Sequence, residues 1–283
     1  MDQKIERIPI TELSEKLIDE IIGEIKPYVI SLVGLNDCPS GEEVQLLGSG
    51  TLIKIEDEYG ILTAQHVIPP LRKFKKLGLN LGTFVHERPQ IDTNLLQIVE
   101  NGTRAADSIG PDLAVIILPE YITGMIKPKK PFWNISYNAK NVLSKIIDPE
   151  IGLCFVCGVV GEWTKISGPR GGFNKVLNCC CLCGYVGIEK YWNEEEFDYL
   201  KLSVNYENRP DLPASFGGVS GGGIWRTVLY RSEEGVISYS DLLFLGVAIL
   251  QTPTENNLRS IIGHGWLSIY DLLPKLIKKN SNF

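Results

Sequence analysis

The segment Ala214-Ser215-Phe216-Gly217-Gly218-Val219-Ser220-Gly221-Gly222-Gly223-Ile224-Trp225-Arg226-Thr227-Val228-Leu229 sets a serine among five glycines and then runs into a stretch that reads as a strand. Glycine permits positive φ and close backbone approach, so a loop of this composition can turn several N–H groups toward one point. A serine at its centre is then exposed beside a ready site for an oxyanion. A plain glycine turn between strands has the same composition, so the segment carries chemistry only if a base and an orienting acid exist for Ser220. The fold turns on the residues after the glycines, because a strand there excludes one large class of serine hydrolases.

Two chain orders compete for the partners of Ser220. Gly218-Val219-Ser220-Gly221-Gly222 satisfies the G-x-S-x-G elbow of α/β-hydrolases, and Asp241 and His264 follow it in the order that fold requires. That fold also needs a helix directly after the serine and a mostly parallel sheet before it, and neither pattern is present. The other order places the base upstream. Ile61-Leu62-Thr63-Ala64-Gln65-His66-Val67 is an apolar strand that ends in small residues and delivers His66 at its edge. Gly110-Pro111-Asp112 then leads into the apolar run Leu113–Leu118. A carboxylate at the mouth of a buried strand can be desolvated and still hold an imidazole N–H, which fixes the tautomer and stabilises the imidazolium. Asp107 is a nearby competitor for that role, but no strand follows it directly.

Outward from these blocks the chain is β-rich. Tyr28–Gly34, Thr51–Ile55, Gly60–Ala64, Thr83–His86 and Leu113–Leu118 form one set of short runs punctuated by turn residues. Gly152–Val160, Val176–Val186, Phe197–Val204, Gly223–Leu229, Asp241–Leu250 and Ile262–Leu267 form a second. Between them, residues 126–150 hold three prolines and several lysines with little periodicity and read as a linker. Leu13, Leu17, Ile18, Ile21, Ile22 and Ile25 mark an amphipathic helix over 11–25, with Thr11 as its cap and Pro27 as its stop. Ser268 is placed to cap a final helix reaching Lys279.

Composition bounds the function. The 283 residues carry 28 basic and 34 acidic side chains, a net charge of −6, which argues against a nucleic-acid surface. The longest apolar run, around Leu242–Leu250, is far short of a membrane span. Met1–Arg7 is polar and reads as no secretory signal. Seven cysteines is an odd number, and six of them cluster at Cys154, Cys157 and Cys179–Cys183, which suits a reducing cytoplasm better than a disulfide framework. Cys154-x-x-Cys157 and Cys180-x-x-Cys183 have zinc-ribbon spacing, but they lack turn glycines inside each pair, and free cysteine also packs as a small hydrophobe. The expectation is therefore no metal and no cofactor.

Thr63-Ala64-Gln65-His66, Asp112-Leu113-Ala114 and Gly218-Val219-Ser220-Gly221-Gly222 together resemble the three catalytic blocks of trypsin/chymotrypsin-like serine peptidases. More narrowly, they are similar to the bacterial intracellular trypsin-like peptidase domain, over about residues 28–280. The resemblance implies an all-β fold of two antiparallel six-stranded β-barrels, with an N-terminal and a C-terminal helix outside them. The chain would divide into a helical extension (1–27), a first barrel with His66 and Asp112 (28–125), the linker (126–150), and a second barrel with Ser220 and the C-terminal helix (151–283).

The implied function is a serine endopeptidase acting on a protein or peptide. Ser220 would be the nucleophile, His66 the base and Asp112 its orienting acid, with the N–H groups of Gly218 and Ser220 as the oxyanion hole. The chain departs from the secreted members twice. Val219 stands where they hold the aspartate that captures a new amino terminus, so no zymogen step is expected. Ala214 stands where trypsin-type members hold the aspartate that selects Arg or Lys. The specificity pocket would be built from Ala214, Ser215, Ile249, Leu250, Gln251 and His264, with His264 either a donor to an acidic or amide side chain or a structural turn residue. His86 is given no role. The competing reading is a protease-like binding or regulatory module with weak or partner-gated activity, docking a protein partner through the 11–25 helix.

Overall fold

The computed structural model describes residues 8, 10–39, 41–81, 88–101, 109–145, 152–167 and 176–280. Helix α1 (Glu15–Ile25) follows a short turn at Ile10–Glu12 that contains Thr11. The cap is Ser14, three residues later than expected, and its Oγ accepts the Leu17 N–H at 3.2 Å. A serine here satisfies one of the orphan donors of the first turn.

The first half is a curled antiparallel sheet. Its strands are β1 (Val29–Cys38), β2 (Gly41–Ile55), β3 (Glu58–Thr63), β4 (Lys76–Asn80), β5 (Gln90–Asp92), β6 (Gln97–Asn101) and β7 (Leu113–Ile117), with a single helical turn α2 (Ile68–Leu71) after β3. They lie side by side in the order β5-β4-β1-β2-β3-β7-β6. Every residue of β7 is buried, as its unbroken apolar sequence requires of a strand covered on both faces. The resemblance implies a closed six-stranded barrel here. The sheet instead runs through seven strands, and among the described residues β5 and β6 remain its two ends. The strand expected at Thr83–His86 lies outside the described residues.

The segment read as a linker is more structured than its composition suggests. After α3 (Glu120–Ile126), strand β8 (Trp133–Asn134) pairs in parallel with β2, and α4 (Ile135–Lys145) follows. Asn134 Oδ1 accepts the Tyr137 N–H at 2.9 Å and starts α4. Only Ile135 and Val142 of α4 are buried, which is too thin an apolar stripe to register as periodicity.

The second half closes on itself. β9 (Leu153–Ser167), β10 (Val176–Glu194), β11 (Phe197–Asn205), β12 (Gly223–Arg231), β13 (Ile237–Gln251) and β14 (Leu258–His264) form a six-stranded antiparallel barrel in the order β10-β11-β14-β13-β12-β9. β14 ends before the expected Leu267, because the Gly265 N–H turns to Asp198 O at 2.9 Å. A wide turn at Ser268–Leu272 then leads into α5 (Leu273–Asn280). Its start is held by Asp198 rather than by Ser268: the carboxylate accepts the Ser268 N–H at 2.7 Å and the Leu267 N–H at 3.0 Å.

Helix α1 returns onto this barrel. Ile21 and Ile25 are fully buried, and Tyr239 Oη on β13 donates to Glu24 at 2.7 Å. The apolar face considered for docking a partner is thus packed within the molecule. One continuous hydrophobic core runs from Leu13 to Ile277 through both halves. Among the described residues no helix is long and apolar enough to cross a membrane.

Candidate active site

Antiparallel pairing brings the first two residues together. Thr63 at the end of β3 lies opposite Ala114 at the start of β7, so the turn after β3 and the residue before β7 share one edge of the sheet. His66 sits in that turn, and Asp112 precedes β7. The His66 Nδ1 to Asp112 Oδ2 distance is 2.7 Å, and Asp112 Oδ1 accepts the His66 backbone N–H at 2.8 Å. The Asp112 side chain has no exposed surface, whereas 40% of the His66 side chain remains exposed. A buried carboxylate gripping both the ring and the backbone holds the imidazole in one orientation and keeps the Nδ1 proton in place. Nε2 is left for the solvent side.

Ser220 reaches the same place from the other half. Its loop joins β11 to β12 and is folded by two bonds of its own, Val219 N–H to Phe216 O at 3.0 Å and Gly222 N–H to Val219 O at 2.7 Å, and by one to β13, Gly221 N–H to Ala248 O at 2.8 Å. Gly218 (φ +93°) and Gly221 (φ +88°) take left-handed conformations. At Gly221 a Cβ would lie 2.0 Å from Ser49 O, so only glycine fits.

The same bonds aim the free amides. The Gly217 carbonyl is taken by the Gly161 N–H at 2.7 Å and the Val219 carbonyl by Gly222. In a trans peptide the N–H points opposite to the C=O, which turns the Gly218 and Ser220 N–H groups away from these contacts. Among the described residues neither amide has a protein acceptor.

His66 and Ser220 line a common cleft of about 180 Å³. Ile249, Leu250 and Gln251 line it as expected; Phe216, Gly217, Ala248 and Ile261 line it as well. Phe216 and Gly217 immediately precede Gly218, and Ile261 is the cross-strand partner of Gln251, a register that no local pattern announces. Of the other expected pocket residues, Ala214, Ser215 and His264 do not line this cleft. Among the described residues no hydrogen bond joins Ser220 Oγ to His66 Nε2. Such bonds are often long before substrate binds.

His264 is structural. It is fully buried between the rings of Phe197 and Tyr199, and its Nε2 accepts the Asp112 backbone N–H at 3.0 Å. Burial pulls its pKa down to about 4, against smaller upward pulls from the Asp112 carboxylate and the Asp198 backbone. The ring is therefore neutral near pH 7, as an acceptor must be. This histidine steadies the acid and does not touch the cleft. His86 and Asp107 lie outside the described residues.

The residue that sequence reasoning missed is Ser49 on β2. Its Oγ donates to Gly218 O at 2.7 Å and accepts the Val159 N–H at 2.7 Å. Its own N–H donates to Ser220 O at 2.8 Å, and its carbonyl accepts Thr63 Oγ1 at 2.8 Å. A side chain of the first half thus pins the serine loop of the second. Nothing beside Ser49 in the sequence announces these contacts, because Val159 lies 110 residues away and Gly218 lies 169.

All seven cysteines are free thiols. Cys157 Sγ and Cys181 Sγ stand 3.4 Å apart across β9 and β10, and burial pushes the Cys154 thiol up to about 12. Among the described residues no three His, Cys, Asp or Glu side chains are grouped to hold a metal.

No protein-family model matches the chain, and no curated protein matches it. One similar solved structure is described as "Aromatic interactions drive the coupled folding and binding of the intrinsically disordered Sesbania mosaic virus VPg protein". It is 15% identical, covers 86% of this chain and 89% of that one, and has a TM-score of 0.41. A likeness of that size carries no argument about this protein.

Proposed function

We propose that this chain is a serine endopeptidase of the trypsin/chymotrypsin-like type, working in a reducing cytoplasm. The observation that carries the reading is the buried Asp112 fixing His66 at 2.7 Å on the cleft that also holds Ser220. Ser220 Oγ attacks the peptide carbonyl carbon while His66 Nε2 takes its proton. The oxygen that becomes negative is received by the N–H groups of Gly218 and Ser220, which the loop leaves unspent. His66 passes the proton to the leaving amine, and Asp112 stabilises the imidazolium throughout. Water then enters, His66 removes its proton, and the acyl-enzyme is hydrolysed.

Among the described residues no acidic side chain lines the cleft, which supports a preference other than Arg or Lys. The absence of a Ser220–His66 hydrogen bond among the described residues favours a second reading, a protease-like module whose catalysis a partner gates. A fluorophosphonate probe separates the two. The isolated wild type is expected to be labelled on Ser220, and Ser220→Ala to lose the label. A folded wild type that stays unlabelled would sink the simple enzyme and favour the gated module.

A further inference from the structure

Cys157 and Cys183 are direct cross-strand partners in the β9–β10 pair, and Cys181 lies two residues before Cys183. Side chains two apart on a strand share a face, so the three thiols stand on one face of the barrel wall. Cys157 Sγ is 3.4 Å from Cys181 Sγ, direct contact between two sulfurs. Cys157 is fully buried, whereas Cys181 keeps partial exposure.

The two thiols are chemically unequal. The Cys181 thiol is held below its ordinary pKa, chiefly by the hydrogen bond from Cys157 and further by the Lys26 and Lys130 charges, with burial opposing them. Burial pushes the Cys157 thiol well up. The Lys130 ammonium is anchored by Val29 O at 2.7 Å and Pro27 O at 3.3 Å. The thiolate is the nucleophilic form of cysteine, so Cys181 is the reactive partner and Cys157 the thiol waiting behind it.

The strand that carries Cys157 also supports the serine loop. On its other side Cys157 pairs with Gly223, where the strand after that loop begins. Further along β9, the Val159 N–H donates to Ser49 Oγ at 2.7 Å and the Gly161 N–H to Gly217 O at 2.7 Å. A Cβ at Gly158 would lie 2.9 Å from Val219 Cγ1, so the loop rests directly on this strand.

We propose that Cys181 and Cys157 form a reversible dithiol–disulfide site oxidised by hydrogen peroxide, and that its closure disturbs the hold of β9 on the serine loop. The effect on Ser220 rests on the serine-peptidase reading; the disulfide does not. The Cys181 thiolate attacks one peroxide oxygen, the O–O bond breaks, and the departing hydroxide takes up a proton as water. Cys157 sulfur then attacks the Cys181 sulfenic acid, the S–S bond forms, and the sulfenic hydroxyl leaves with the Cys157 proton as a second water. The two thiols lose two electrons, which the peroxide gains. A dithiol reductant reverses the change by exchange. Diagonal cross-strand neighbours have Cα atoms about 7–8 Å apart and disulfides span about 4.4–6.8 Å, so closure draws β9 and β10 together.

The test treats the protein with hydrogen peroxide, removes the excess, counts thiols in the denatured chain and measures the rate of fluorophosphonate labelling at Ser220. The wild type is expected to lose two thiols, to label about tenfold more slowly because the loop is displaced, and to recover on both counts with dithiothreitol. Cys181→Ser, at a partly exposed position, is expected to label at the reduced wild-type rate and to keep that rate after peroxide. Cys157→Ala is expected to behave likewise, and Cys183→Ser to respond as the wild type does. A thiol count unchanged by peroxide, or a response lost in Cys183→Ser, would overturn the Cys157–Cys181 site. A disulfide that leaves labelling unchanged would overturn its effect on the loop. A reduced wild type that is never labelled would instead overturn the peptidase reading, and the thiol count would still decide the disulfide.

Discussion

At the scale of single residues, His264 repeats the logic of His66 with the opposite outcome. Both touch Asp112, yet one is open to the cleft and the other is sealed behind the acid, so burial holds His264 neutral with a pKa of about 4. Between pH 6.5 and about 4 the unfolded chain binds a proton on this imidazole that the folded chain refuses. Stability is therefore intact above pH 6.5 and falls as the solution is acidified, by about 2 kcal/mol at pH 5 from this group alone. Replacing His264 with Gln, whose oxygen can also accept the Asp112 N–H, should reduce the pH 7 to pH 5 loss of unfolding free energy by about that amount in urea titrations. Identical pH dependence in the two proteins would contradict the neutral, buried assignment. His66, Asp112 and Ser220 were legible because each sits in a local pattern, a strand end or a glycine loop. His264 was ambiguous because its partner is a backbone amide 152 residues away, and nothing near Gly263 or Gly265 signals that contact.

At the scale of elements, strands with unbroken apolar runs were legible and those with brief alternation were not. β7 and the apolar runs of β9, β12 and β13 follow from unbroken β-branched and aromatic sequence. β4, β5 and β6 have five residues or fewer, and Lys76-Leu77-Gly78-Leu79-Asn80 alternates too briefly to be distinguished from a loop. The seam between β2 and the serine loop has its own measurable consequence. Ser49→Ala would leave the Gly218 carbonyl and the Val159 amide without their partner at a buried site. That should destabilise the protein by about 1–3 kcal/mol. The same variant should react several-fold more slowly with a fluorophosphonate, since the loop that aims Ser220 loses its anchor. A lowered denaturation midpoint with an unchanged labelling rate would show that Ser49 supports the fold but not the site.

At the scale of the molecule, the two halves are joined by aromatic packing as well as by Ser49. Trp133, on the strand that pairs with β2, meets Trp225 of the barrel at 5.2 Å and Tyr28 at 5.6 Å between ring centres, and Trp225 meets Phe244 at 4.8 Å. The Trp133 indole also donates to Tyr270 Oη at 2.8 Å. With one core running through both halves, urea unfolding followed by tryptophan fluorescence and by far-UV circular dichroism should give coincident curves. Trp133→Ala should lower stability by about 3–5 kcal/mol. Two separated transitions in the wild type would mean that each half melts alone. The sequence could be divided into two β-rich sets, but the weld between them could not be read, because its centre, Trp133, is a single aromatic residue in a segment that looked like a connector.

The placement of His264 behind Asp112 also sets a clock on biosynthesis. A ribosome completes Asp112 and His66 early, adds Ser220 much later, and reaches the imidazole that steadies the acid roughly 150 residues after Asp112 itself. At synthesis rates of about 5–20 residues per second, that interval is on the order of ten seconds. Throughout it the nascent chain holds an incomplete constellation of groups. On the serine-peptidase reading, the nascent chain lacks the imidazole that steadies its acid until His264 has been added.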